Sequence, residues 1–363
     1  MTGPGPDSGG GPLGEHRREA GASLDQPDGA ELRRRSGRWG GPGVVAGQPV
    51  VVPPAEFSSY YGRPVVKAPV WRKDIAAYLF TGGLAAGSAL LAAGADLTGR
   101  AALRRAGRLV SLGAVGASAY FLVNDLGRPA RFHHMLRVAK PTSPMSMGTW
   151  ILAAFGPAAG LAAVSEIAPV LSRRGGLGLA RRLLPPAGRV AGLAAAAVAP
   201  GLATYTGVLL ADTAMPAWHD AYPDLPFLFG GSALVAGAGA GLVAAPTAQS
   251  GPAARLAVAG AVVETLAERR IARMGLTGEP YRTGRPARLI RGGQLLLAAG
   301  TAGALLARGN RTLSVFSGAA LLASSLLTRF GVFEAGVASA RDPKYTVLPQ
   351  RERRARRGVG AGP

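Results

Sequence analysis

VAGLAAAAVAPGLATYTGVLLA, Val190–Ala211, runs without one charged side chain and is built almost wholly from Ala, Leu, Gly, Val and Thr. As a helix rising about 1.5 Å per residue, it is long enough to cross a hydrocarbon core of about 30 Å. Its neighbours change character abruptly: ARRLLPPAGR, Ala180–Arg189, precedes it and ADTAMPAWHD, Ala211–Asp220, overlaps its end. A charge at mid-bilayer costs about 3 kcal/mol or more, so apolar blocks bounded by Arg-rich or polar segments are what a lipid solvent selects.

The same pattern recurs along the chain. Apolar windows of about 19 residues fall at 75–95, 106–123, 148–170, 190–211, 227–245, 253–267, 293–307 and 313–328. The sixth is short and carries Arg255 and Glu264. The reading is an all-α integral membrane protein of about eight transmembrane helices over residues 75–330. A Gly/Pro/Arg-rich tail expected to be disordered (1–52) and an interfacial segment (53–74) with Tyr60, Tyr61 and Trp71 precede them. A polar, basic extension (331–363) follows.

Composition agrees. Hydrophobic residues make up 48% and charged residues only 17%, with a mean hydropathy of +0.20. Aromatics are 6%, so the spans are filled by small residues that let helix backbones approach closely where lipid supplies no hydrophobic drive for pairing. The net charge of +21 would suggest nucleic acid in a soluble protein. Here the basic residues sit in short clusters beside apolar spans, which points to topology and anionic lipid instead. About 29 of the 41 Lys and Arg fall on the N-terminal side of the spans, so both termini are expected in the cytoplasm of a bacterium, the bilayer being its inner membrane. No apolar signal-peptide core follows the early basic residues, so the first span is expected to direct insertion. No internal repeat supports an inverted-repeat transporter.

Cysteine is absent, so the chain has no thiolates for an iron–sulfur cluster or zinc site. The histidines, His16, His133, His134 and His219, all fall outside the predicted spans. Bound haem, which needs axial ligands within the bundle, is therefore not expected.

Two loops on the N-terminal side carry the chemistry. In NDLGRPARFHHMLRVAKPTSPMSMGTW, Asn124–Trp150, Asp125 ends a helix and Pro129 stops its continuation; Asp125 has Arg128 and Arg131 as candidate ion-pair partners, or the basic residues meet lipid phosphates. In YTGVLLADTAMPAWHDAYPDLPFLFGGSAL, Tyr205–Leu234, Tyr205 lies about two turns inside the fourth span, Asp212 at its end and the pair Trp218–His219 beyond. Tyr205 either donates to a ligand carbonyl or to a neighbouring backbone carbonyl, and Trp218 reads equally as an interfacial anchor. Asp125, Asp212 and His219 are the candidate proton carriers. Tyr78 falls at a depth matching Tyr205, and the Gly82, Gly83, Gly87 face beside it admits either a helix or a flat ring. Glu264 either serves a proton path or pairs with Arg255.

Seven ordered pieces resemble the NrfD-like family, which includes the polysulfide reductase membrane subunit: YYGRPVVKAPVW, YLFTGGLAAGSALL, DLGRPARFHHMLR, PTSPMSMGTW, YTGVLLADTAMPAWHD, LPFLFGGSAL and RFGVFEAGVASARDPKYTVLPQR. The resemblance implies a haem-free quinone-interacting membrane subunit. Such a subunit anchors a four-cluster iron–sulfur protein, which contacts a molybdopterin catalytic subunit, and it takes menaquinone or ubiquinone as its redox partner. By motif position Tyr78 takes the place of a quinone-side histidine, and Tyr205 matches the tyrosine that donates to the quinone. Arg128, Arg131 and Trp218 would then face the docked partner, a cytoplasmic enzyme such as a formate dehydrogenase. A passive anchor or a proton-translocating subunit without a quinone site is the competing class.

Overall fold

The computed structural model describes residues 65–171, 178–307 and 309–359, which belong to one compact unit, Tyr60–Pro363. The predicted N-terminal tail and the first part of the interfacial segment, Tyr60 and Tyr61 included, lie outside the described residues. Eight long helices follow one another: α1 (Lys73–Leu97), α2 (Ala101–Asn124), α3 (Pro144–Leu171), α4 (Gly178–Ala211), α5 (Leu225–Ala244), α6 (Gly251–Ala272), α7 (Gly284–Leu306) and α8 (Arg311–Arg341), with a final α9 (Lys344–Val359). Each predicted span lies on one of α1–α8. Seven are long and apolar enough to cross a membrane; α6, carrying Arg255, Glu264 and Glu268, is not.

Helix contacts close two rings, α1–α2–α3–α4 and α5–α6–α7–α8, which meet where α1 and α4 pack on α5 and α1 packs on α8. Burial follows this plan. About three quarters of the apolar window is buried in α1 (78%) and α5 (72%), against about a third or less in α2, α3 and α7, whose outer faces are left for lipid. The chain enters at one end of the bundle, here called the near face. The loops 125–143, 212–224 and 273–283 and helix α9 all lie there, whereas α1–α2, α5–α6 and α7–α8 are joined by short turns at the far face. Two of those turns rest on glycines with positive φ, Gly99 (69°) and Gly309 (94°), where a side chain would be strained. Asn310 then caps α8, accepting from the Leu313 amide at 3.1 Å.

Backbones meet at the centre of the molecule. A Cβ on Gly87 would lie 1.9 Å from the Ala233 carbonyl oxygen, and one on Gly237 would lie 2.2 Å from the Gly87 carbonyl carbon, so α1 and α5 approach through reciprocal glycines. The glycine face of α1 thus serves helix packing rather than a flat ring. Hydroxyls add interhelical hydrogen bonds: Ser111 donates to Ala85 O at 3.0 Å, and Ser324 to Gly293 O at 2.8 Å.

The eighth helix differs most from its predicted span. Arg329 marks the end of the apolar window at Thr328, yet α8 continues for about three more turns to Arg341. Arg329 is fully buried; its Nη1 donates to Leu79 O at 2.8 Å and its Nη2 to Phe229 O at 2.7 Å, with the guanidinium carbon 4.3 Å from the centre of the Phe229 ring. Gly83 makes the room: a Cβ there would come 2.5 Å from Arg329 Nη2. One side chain therefore joins α8 to α1 and α5, across both rings. Glu264 is also fully buried, beside Thr328 and in the field of Arg329 rather than paired with the exposed Arg255.

Gly87→Leu forces α1 and α5 apart and is expected to destabilise the bundle by about 3 kcal/mol or more, the upper range for overpacking. The same change at Gly94 or Gly113, where an added Cβ meets nothing within 4 Å, should leave the melting temperature in detergent nearly unchanged. Equal melting of all three variants and the parent would refute the close contact.

Candidate functional site at the near face

Tyr78 stands five residues inside α1 and Tyr205 six residues before the end of α4, which places both about 8 to 9 Å from the near ends of their helices. The two helices pack together, and the phenols are 3% and 8% exposed, so the matched depth expected from sequence is present in a buried setting. Tyr205 lies flat enough on α3 that a Cβ at Gly148 would overlap its ring, so the Gly of PMSMGTW seats this side chain. Among the described residues, neither phenol oxygen has a hydrogen-bond partner. Neither donor is therefore committed to any of those residues.

Asp212 follows Tyr205 by seven residues, close to two turns, so it continues the same face of α4 about 10 Å nearer water. With His219 and Asp220 it lines an open cleft of about 370 Å³ whose other wall is α9, through Tyr345 and Arg353. His219 Nδ1 lies 3.1 Å from Ala211 O, which orients the ring at the cleft. Two of the three predicted proton carriers thus share one water-facing site. Asp125 does not line it. It caps the join of α1 and α2, accepting from the Arg72 amide at 3.2 Å rather than pairing with Arg128 or Arg131. Partial burial pushes its carboxyl above the usual range, the Arg72 amide opposes this, and the nearby Asp74 charge adds to the rise.

Trp218 departs from expectation. It is fully buried: Nε1 donates to Val332 O at 2.7 Å, its ring stacks on Trp71 at 6.0 Å, and the Phe333 ring lies tilted 5.7 Å away. Gly336 gives it space, since a Cβ there would lie 1.9 Å from the indole. Tyr281 donates to Ala217 O at 3.0 Å and the Ala217 amide donates to Ser339 Oγ at 3.2 Å. Trp218 therefore pins the α4–α5 loop onto the extended end of α8 and can be neither a docking contact nor a lipid anchor. The length of α8 beyond Arg329 is what covers it. Trp71, stacked on it, is only half-buried. Arg128 and Arg131, by contrast, are exposed beside a short helix, Pro129–Leu136, that presents Phe132 and Leu136 to solvent.

A second polar assembly, at the far face, escaped the sequence reading. Glu166 of α3 receives Arg104 Nε at 2.6 Å and Arg108 Nη1 at 2.9 Å, and Asp96 at the end of α1 lies 3.2 Å from Arg104 and 3.5 Å from Arg189. The side chains of Glu166, Asp96 and Arg108 are all at least nine-tenths buried. The signal was present as three arginines, 104, 105 and 108, on one side of α2, and as an acid inside the third span. Which remote acid met which arginine was not. This network knits all four helices of the first ring.

An all-helical bundle with seven membrane-competent helices and its functional loops gathered at one end defines a multi-pass membrane protein. The chain belongs to the NrfD family: residues 64–266 match the family described as polysulphide reductase, NrfD, a range that runs from just before α1 into α6. It is accordingly a membrane subunit of the kind that works with other subunits of oxidoreductase complexes. The resembling piece at Arg329–Arg351 lies outside the matched range. No curated protein matches the chain.

Glu166→Ala leaves Arg108 buried without its main counter-charge and is expected to cost about 3 to 5 kcal/mol of stability. Denaturant unfolding of the purified chain measures this, with Arg189→Ala, whose side chain is 62% exposed, expected to cost less than 1 kcal/mol. Similar losses for the two would mean that the network does not hold the far face.

Proposed function

We propose that this chain is the quinone-interacting subunit of its complex and passes electrons between an iron–sulfur subunit docked on the near face and the quinone pool of the bilayer. The observation that carries this reading is the pair of buried phenols, Tyr78 and Tyr205, at one depth on adjoining helices, with hydroxyls that engage no described residue.

Quinone reduction consumes two electrons and two protons, so the site needs donors at the ring oxygens and a wet route outward. Tyr205, held in position by Gly148, donates to one ring oxygen, and Tyr78 bounds the other side. A phenol with an ordinary pKa near 10 stays a hydrogen-bond donor at neutral pH, so proton supply falls to other groups. Asp212 and His219 collect protons in the cleft below Tyr205, and Asp125, at the join of α1 and α2, is the third proton carrier. Arg128 and Arg131, with the exposed Phe132, offer the partner a basic and apolar contact. The chain itself supplies neither haem nor iron–sulfur ligands; the catalytic chemistry belongs to a molybdopterin partner. The excess of Lys and Arg on that side supports a cytoplasmic near face with cytoplasmic termini, and with it a cytoplasmic enzyme such as a formate dehydrogenase.

Tyr205→Phe keeps the ring and removes the donor. Quinone-linked turnover of the intact complex should fall by about 1 to 3 kcal/mol in activation free energy, roughly five- to 150-fold, while artificial-dye reduction by the catalytic subunit is unchanged. A passive anchor predicts no change in either activity, and unchanged quinone turnover in both Tyr205→Phe and Tyr78→Phe removes the site. Reporter fusions at Thr98 and Lys140 test orientation: the Lys140 fusion should report from the cytoplasm and the Thr98 fusion from outside, and the reverse pattern inverts the assignment.

A further inference from the structure

Helix α6 touches α7 far less extensively than α7 touches α8, and the two splay to leave a groove of about 680 Å³ on the outer face of the second ring. Its floor is apolar and small, with Ala261, Ala298 and Ala302, and it runs along α7 from Gln294 to Leu305, about 16 Å of helix. A groove of this volume and length accommodates hydrocarbon chains laid along the helix. Polar groups gather at the near end. Gln294 donates to Glu268 Oε2 at 3.0 Å, and Thr301 Oγ1, deeper in the groove, is shielded from solvent with no partner among the described residues.

Arginines flank its near end. Arg269 lines the groove, Arg273 follows it one turn on at the C-cap of α6, and Arg291, whose Nη2 donates to Arg282 O at 3.5 Å, precedes Gln294 by one turn on α7. All three are exposed, and none is ion-paired with an acid among the described residues, whereas their neighbours Arg270 and Arg285 are held by Asp224 and Glu334. Glu268 is the one acid of the lining, outnumbered by these three guanidiniums. An amide–carboxyl pair turned toward lipid at this depth is costly unless an occupant hydrogen-bonds it.

We propose that the α6–α7 groove is a binding site for one anionic phospholipid. Its acyl chains lie along the alanine floor, and its phosphate sits among Arg269, Arg273 and Arg291. The second amide hydrogen of Gln294 donates to an ester oxygen, and a headgroup hydroxyl donates to Glu268. The guanidiniums supply charge that a neutral headgroup does not use, and the fork of Arg matches a phosphate. Such a lipid would fill the space between α6 and α7 and bring a headgroup to the near face beside the 273–283 loop.

The test uses the full chain purified in detergent and native mass spectrometry with phosphatidylglycerol and phosphatidylcholine of identical acyl chains added in equal amounts. The parent should retain one phosphatidylglycerol in at least tenfold preference. At about fivefold for each charge removed, the pair R269Q/R291Q should abolish a tenfold preference. The pair A298F/A302F, on lipid-exposed positions, fills the groove while leaving every arginine, and should also release the lipid. Equal retention of the two lipids by the parent overturns the proposal. So does full retention of phosphatidylglycerol by A298F/A302F, which would reduce the effect to surface attraction. Co-purification of an isoprenoid quinone that A298F/A302F releases would assign the groove to quinone and overturn it as well. If A298F/A302F does not fold, the parent comparison and R269Q/R291Q still decide.

Discussion

A guanidinium buried between the two helical rings is the contact on which the rest of the molecule depends. In lipid an uncompensated Arg at this depth is expensive, and Arg329 is accommodated only because Leu79 and Phe229 turn carbonyls to it, Phe229 offers its ring face and Gly83 offers space. Those groups lie on α1 and α5, the most buried helices, so satisfying one charge also fixes the register of α8 against both rings. With that register set, the last turns of α8 reach over the near face. There Gly336 and Val332 receive Trp218, and the α4–α5 loop, with Asp212 and His219, is held in place. The candidate site and the core are in this sense one construction.

The two ends of the first ring are built on different principles. At the far face, charge is matched by charge: Asp96 and Glu166 gather arginines from α2 and α4, and a short turn at Gly99 joins α1 to α2. Such a network stabilises only as a whole, since removing one member strands another in a poor solvent. At the near face, polar groups are left open: Asp212 and His219 in a water-facing cleft, Arg128 and Arg131 exposed, and two phenols unengaged by any described residue. A closed polar network serves stability, whereas an open one is available for ligands, protons and partners. The function proposed for the near face rests on this asymmetry.

Much of this was legible in the residues. Long uncharged stretches rich in Ala, Leu and Gly define membrane helices because hydrocarbon penalises charge independently of fold, and each predicted span lies on a helix. The depth of Tyr78 and Tyr205 was legible for the same reason, since helix rise converts sequence position into depth. The departures share one cause. The eighth window stops just before Arg329, an interfacial anchor was one reading of Trp218 and a pair with Arg255 one reading of Glu264, because charge and indole were assigned to the nearest water.

The sequence by itself therefore determined the solvent, the helices, the face that carries the polar loops and the family to which they belong, since each follows from local composition and spacing. Only the tertiary structure decided which polar groups are satisfied inside the bundle. Arg329 finds its carbonyl 250 residues away at Leu79, Arg108 finds Glu166 58 residues away, and Trp218 finds Val332 114 residues away. Helical periodicity tells which side of a helix is apolar. It carries no information on which distant backbone turns to meet an isolated charge, and in lipid that meeting determines whether the charge can be buried at all.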